Sequence, residues 1–211
     1  MIGGVQITDG LFRVGGTRVG NAYLMVVDDG LLLVDAGMVR SARRIVRFIE
    51  QLGWKPSDLH DVVITHCDLD HVGAAADLKR RTGARVSIHE LDAGVLSGQQ
   101  RPQKGGRMVV ALFRLFRFRP VVADRQLRDG DTVGGLRVMH VPGHTAGSIA
   151  LVRDDGVVFS GDGLLTDSKG TIKPPDPKLA LDPAQASASA ELIRTRCSRL
   201  LLPGHGSPAW V

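Results

Sequence analysis

The chain is poor in cysteine and aromatics and has no long apolar run. Only Cys67 and Cys197 occur in 211 residues, too few for a disulfide framework and consistent with a reducing compartment. Aromatics make up 4% of the sequence, so a core has to be built mainly from Val, Leu, Ile and Ala. No stretch approaches the roughly 18 uninterrupted apolar residues of a membrane span. The start MIGGVQITDGLFRVGG lacks the basic and apolar regions of a secretory signal, so a cytoplasmic protein is expected. Acidic residues are scarce in one place above all. Between positions 97 and 128, Asp124 stands alone against Arg101, Lys104, Arg107, Arg114, Arg117, Arg119, Arg125 and Arg128. This segment exceeds the formal net charge of +5 carried by the whole chain, and the remainder is close to neutral.

What is present reads as one domain over residues 1–211, a length that buries a large core. Short apolar runs separated by turn residues fill the first third. YLMVVDDGLLLVDAG has the pattern of a hairpin turning at Asp29 and Gly30. Residues 38 to 52 place Val39, Ile45, Ile49 and Leu52 on one helical face before Gly53. DVVIT at 61–65, a helix-rich VGAAADLKRR and ARVSIH at 84–89 form a β-α-β pattern. The later chain repeats this grammar. SIALVRDDGVVFSGD is a second hairpin, around Asp155 and Gly156, and each hairpin leads within six residues to an aspartate, Asp35 or Asp162. Asp182 and Pro183 supply an N-cap and first-turn pair for a helix reaching about Arg196. The expectation is two related halves, each a mixed sheet with flanking helices.

The chemistry concentrates where predicted strands end. ITHCDLDHVG sets His66, Asp68, Asp70 and His71 within six positions. His144 in PGHTAG, Asp162 in SGDG and His205 in PGHG follow later strands. Singly, GHT or SGD is an ordinary turn. Together they are imidazole and carboxylate donors on glycine-bearing loops, the residue types that a divalent metal requires. His60 precedes a predicted strand and reads as exposed, His89 and His140 read as rim or core residues, and Tyr23 reads as sheet packing.

The ordered motifs from VDAG through HCDLDH and PGHTAG to PGHG resemble the metallo-β-lactamase superfamily, in its glyoxalase II-like hydrolase branch. The resemblance implies an α/β fold, a four-layer αβ/βα sandwich with the metal site at one edge of the sheets. Carried over by position, it implies that His66, Asp68 and His144 hold one metal and Asp70, His71 and His205 a second. Asp162 would bridge the two, and Asp35 would orient ligands from behind. This sequence departs from the family at position 68, having HxDxDH where HxHxDH is common. Zinc leads as the metal, with iron or manganese favoured by the added oxygen donor. The implied activity is hydrolysis of a thioester, ester or lactone by a metal-bound hydroxide, with Asp70 moving the proton. Iron redox chemistry, persulfide dioxygenase-like or diiron, and a nuclease or phosphodiesterase activity are the competing readings. The long extension that glyoxalase II carries for glutathione is not expected after His205, where the sequence reads GSPAWV.

The segment SGQQRPQKGGRMVVALFRLFRFRP, residues 97–120, reads as a basic amphipathic insert. Apolar residues from Met108 to Phe118 and arginines at 114 and 117 form a lid, with Arg107, Arg114, Arg117, Phe113 and Phe116 as candidate substrate contacts. Such a lid suits a small-molecule substrate that is anionic with an apolar portion. A homodimer contact or an anionic membrane surface are the alternatives for the same face, and nucleic acid is not expected as a partner.

Overall fold

The computed structural model of the chain describes residues 3–17 and 19–211, without the side chain of Arg107. A first sheet takes the strands in chain order: β1 (Val5–Thr8), β2 (Leu11–Arg13), β3 (Tyr23–Val27), β4 (Gly30–Val34), β5 (Leu59–Val63), β6 (Arg85–His89) and β7 (Arg125–Leu127). Its first four strands pair antiparallel, and β4 to β7 pair in parallel. A second sheet is built from β8 (Thr132–Val133), β9 (Leu136–His140), β10 (Ile149–Val152) and β11 (Val157–Gly161). A small ribbon, β12 (Leu165–Thr166) with β13 (Ile172–Lys173), precedes its last strands, β14 (Leu200–Pro203) and β15 (Ala209–Trp210). Strand β11 pairs in parallel with β14, as β4 does with β5. Each half therefore carries a hairpin whose second strand gains a parallel neighbour through a helical crossover.

Period-two alternation produces four layers. In β4, Leu31 and Leu33 point to the first helical layer, and Leu32 and Val34 point to the second sheet. In β14, Leu200 and Leu202 meet the first sheet, while Leu201 turns outward to α6 (Pro183–Arg196). Helices α1 (Ala42–Gln51), α2 (Leu69–Val72), α3 (Ala75–Thr82) and α4 (Glu90–Leu96) belong to the first half. Ile45, Ile49, Leu78 and Leu96 from α1, α3 and α4 bury against the first sheet. The architecture is the four-layer sandwich expected. Among the described residues, no helix is long and apolar enough to cross a membrane. Cys67 and Cys197 are both buried and unpaired.

Several local expectations shift. The helix read from residue 38 begins at Ala42, because Arg40 adopts φ 77° and the Met38 amide donates to Thr17 O instead of a helical turn. Val39 is therefore not on the helical face. The helix after the ligand cluster is split into α2 and α3 around Gly73 and Ala74. There a Cβ on residue 73 would meet the Val39 amide nitrogen at 2.3 Å, so the chain can pass only as glycine. In the basic insert, α5 spans Gly106–Leu115, not 108 to 118, and Arg117 at φ 56° turns the chain away. His60 lies within β5, half-buried, and not before the strand. The Asp182 cap is as expected, its carboxylate accepting from the Ala184 and Gln185 amides.

Phe159 lies between the sheets, 1% exposed, with its ring 5.6 Å from that of Tyr23 in an edge-on contact. We expect Phe159→Ala to lower unfolding free energy by about 3–5 kcal/mol, measured by urea denaturation. A loss below 1 kcal/mol would contradict the placement of this side chain at the centre of the sandwich.

Candidate metal centre

The candidate ligands leave the carboxyl ends of strands that run in one direction. Asp35 follows β4 and His66 to His71 follow β5. His144, Asp162 and His205 follow β9, β11 and β14. The two sheets are joined at this edge by main-chain bonds, Ile149 N to Thr65 O at 2.9 Å and Asn21 N to Gly204 O at 2.8 Å. All seven predicted ligand side chains converge. Their donor atoms fall into three overlapping groups, His66 with His71 and Asp162, His66 with Asp68 and His144, and Asp70 with His71 and His205, each within 4.8 Å.

Asp162 sits at the centre. Its Oδ2 lies 3.9 Å from His66 Nε2, 3.4 Å from His144 Nε2 and 3.3 Å from His205 Nε2, and its Oδ1 lies 3.5 Å from His71 Nε2. Burial opposes its charge, but His71, His205 and His66 outweigh that and hold the carboxyl far below the usual range. Space for this packing comes from glycine. A Cβ on Gly204 would stand 2.2 Å from Asp162 Oδ1 and 2.8 Å from His71 Cε1.

Behind the donors stands Asp35, 2% exposed. Its Oδ2 pairs with His71 Nδ1 at 2.8 Å, and its Oδ1 accepts the Thr65 amide at 2.8 Å. The Thr65 hydroxyl also donates to Asp35, at 2.9 Å, and faces His66 Nδ1 at 3.0 Å. One carboxylate thus fixes both imidazole rings with their Nε2 atoms inward. Asp35 does so at φ 61°, a left-handed conformation costly for a residue with a Cβ. The contacts of its carboxylate and its own amide bond to Val63 O at 2.9 Å hold it there.

Three further residues, none of them among the seven donors, belong to this region. Asp92 at the start of α4 accepts from the Cys67 amide at 2.8 Å, the Thr145 hydroxyl at 2.8 Å and the Gly147 amide at 3.0 Å, tying the two halves' ligand loops together. Thr65 is the second. The third is Lys104, whose Nζ lies 2.5 Å from Asp68 Oδ2 and 2.7 Å from His144 Nε2. No local pattern marks these residues; a buried-carboxylate partner is recognisable only once the loops are adjacent. Among the other histidines, His89 and His140 stack with ring centroids 4.2 Å apart, and His140 Nε2 meets Ala146 O at 2.9 Å. Tyr23 packs as read, its hydroxyl donating to Pro203 O at 2.8 Å.

The lid residues divide. Phe113, Arg114 and Arg117 line a groove of about 430 Å³ with Val95, Arg101 and Pro102. Val95 and Pro102 also line the smaller pocket at Asp68, so the groove adjoins the site. Phe116 does not line the groove and is 41% exposed. The Arg107 side chain lies outside the described residues.

The donor set suits a divalent ion. His66 Nε2 and Asp162 Oδ1 are buried without any hydrogen-bond partner, a costly condition that metal coordination removes. Burial pulls the His71 and His205 pKa values down, but neighbouring carboxylates outweigh it. Asp35 and Asp162 push His71 up to about 9, and Asp162 and Asp70 push His205 up to about 10.

Comparison with known proteins agrees with this geometry. The profile of the Metallo-beta-lactamase superfamily matches residues 15–205. The chain is 26% identical to the probable metallo-hydrolase YflN of Bacillus subtilis (strain 168), covering 90% of this chain and 82% of that protein. It is 30% identical to a hydroxyacylglutathione hydrolase of Cereibacter sphaeroides over 72% of this chain, which spans about half (51%) of that enzyme. The crystal structure of TTHA1623 in a di-iron-bound form matches with a TM-score of 0.71 and 27% identity, covering 94% of this chain and 92% of that one.

A metal at these imidazoles has to displace their protons. Groups with raised pKa values stay protonated below those values, so affinity should climb as pH rises towards 9. One or two displaced protons correspond to a gain of about tenfold to a hundredfold per pH unit. Zinc affinity measured by competition with a chelator at pH 6.5 and 8.0 tests this, and equal affinities would contradict it.

Proposed function

The chain belongs to the metallo-β-lactamase superfamily and is a hydrolytic enzyme, and we propose that it cleaves a carboxylic thioester, ester or lactone whose acyl or leaving portion is anionic and partly apolar. The observation that carries the reading is the convergence of imidazoles and carboxylates around two buried, unpartnered donor atoms, His66 Nε2 and Asp162 Oδ1. His66, His71, His144, His205, Asp68, Asp70 and Asp162 are the residues available to hold metal. A bound divalent ion supplies Lewis acidity and lowers the pKa of water. Zinc fits the imidazoles, and the three carboxylates together with a relative crystallised in a di-iron-bound form also support iron or manganese.

Asp70 is the residue to move the proton. Its Oδ2 lies 3.2 Å from His205 Nε2 and 3.8 Å from His71 Nε2. Burial raises its pKa, but the His205 hydrogen bond and the His71 charge prevail and keep the carboxyl ionised. It is more accessible than the fully covered His66 and His71, so an ionised acceptor faces the open side of the cluster. Such a group takes a proton from attacking water and returns it to the leaving atom. His205, at 3.2 Å, is the imidazole close enough to orient Asp70. The groove beside the site offers Phe113, Phe118 and Val110 to an apolar portion and Arg101, Arg114 and Arg117 to an anionic one. A thioester or ester of an acidic carrier suits both features.

The test is turnover of a panel of aryl thioesters, esters and lactones by the metal-loaded chain. Activity should vanish on chelation and return with zinc, iron(II) or manganese(II). Asp70→Asn should lower kcat by about 10²–10⁴-fold, with the fold checked by circular dichroism. Turnover that survives chelation, or an Asp70→Asn enzyme within twofold of the parent, would sink this assignment.

A further inference from the structure

The position expected for one metal is already occupied by a side chain of this protein. Lys104 Nζ lies 2.5 Å from Asp68 Oδ2 and 2.7 Å from His144 Nε2, two of the three donors of the His66, Asp68 and His144 group. It donates to both, so His144 accepts through Nε2. Asp68 Oδ2 and His144 Nε2 stand 3.0 Å apart. A divalent ion binds oxygen and imidazole nitrogen at about 2.0–2.2 Å, so an ion there and the ammonium would compete for the same place. The lysine side chain is 16% exposed. Pro102 and Gln103 line the same pocket, and two successive left-handed glycines, Gly105 and Gly106 at φ 72° and 53°, turn the chain directly into α5.

We propose that Lys104 replaces one metal ion, so that this protein holds a single divalent cation at the buried trio His66, His71 and Asp162, with Asp70 and His205 within reach. Both unpartnered buried atoms of the site, His66 Nε2 and Asp162 Oδ1, belong to that trio. Asp68 and His144 already have a cationic partner. Charge permits this: one divalent ion and one ammonium formally balance the carboxylates of Asp68, Asp70 and Asp162. The exchange that gives HxDxDH is explained by the same pair. A buried ammonium requires an anion beside it, and a histidine at position 68 would leave Lys104 among imidazoles alone. The inference rests on the metal-binding reading of the site and not on its substrate.

The measurement is metal content. Parent chain and Lys104→Met, each exposed to excess zinc, desalted and analysed by mass spectrometry of the metal, should hold one and two ions per chain respectively. Two ions in the parent, or one in both proteins, overturns the proposal. Because the variant could fail to fold, anomalous diffraction from zinc-loaded crystals of the parent gives a second readout. A single peak among His66, His71 and Asp162, with Lys104 still on Asp68 and His144, supports it. A peak between Asp68 and His144 with Lys104 displaced refutes it. Neither measurement uses substrate, so lack of esterase activity leaves the count standing, and a failed count leaves hydrolysis standing. No bound ion in either protein sinks the metal reading itself.

Discussion

The buried carboxylate of Asp162 is the constraint around which the two halves are arranged. A carboxylate removed from water is costly by several kcal/mol unless positive charge or hydrogen-bond donors replace its hydration. Here the compensation comes from both halves. His66 and His71 approach from the loop after β5, and His144 and His205 from the loops after β9 and β14. The sandwich core determines that the sheets stack, but hydrophobic burial is non-directional. The loops meet at one edge because an aspartate at the end of β11 needs partners on either side and a cation among them.

Convergence of this kind is useful only if the rings cannot turn. Asp35 locks His71 directly and His66 through Thr65, and it accepts an unfavourable backbone conformation to do so. Asp92 does the corresponding task between halves, bonding the Cys67 amide on one side and Thr145 and Gly147 on the other. Neither residue points a donor into the cluster. Their effect is to fix the entropy of the ligand loops before any ion binds, so that binding does not have to order them.

Much of this arrangement is readable from local sequence. The hairpins at Asp29 and Asp155 are visible because turn residues and alternation are properties of neighbours in the chain, and so is the Asp182 cap. The seven donors are visible because they lie on glycine-bearing loops that follow apolar strands. Helix boundaries were less so. The left-handed Arg40 and the close approach of Gly73 to Val39 are set by contacts with other segments, and no periodicity within residues 38 to 52 or 72 to 81 reveals them. Asp92 and Lys104 are the instructive cases. Each sits in an ordinary stretch, one opening a helix and the other in a basic run, and gains its role only when folding sets it against residues 25 to 55 and 36 to 40 positions away.

Position 68 joins these two levels. Viewed along the chain, aspartate in place of histidine is a weakened ligand set, with a shorter side chain and one more negative charge. Viewed in space, the same carboxylate faces Lys104, and its ionised form prevails over the cost of burial because the neighbouring imidazole and ammonium groups favour it. Each of the two residues would be unfavourable without the other. Asp68 alone would be a mostly covered acid with only the His66 and His144 rings beside it, and Lys104 alone a mostly covered ammonium beside His144. Together they form a neutral pair that keeps His144 in place with its lone pair satisfied. An exchange that subtracts a ligand from the motif thus adds a partner to the fold, and the basic insert at 97–120 is anchored to the centre of the site through a single side chain.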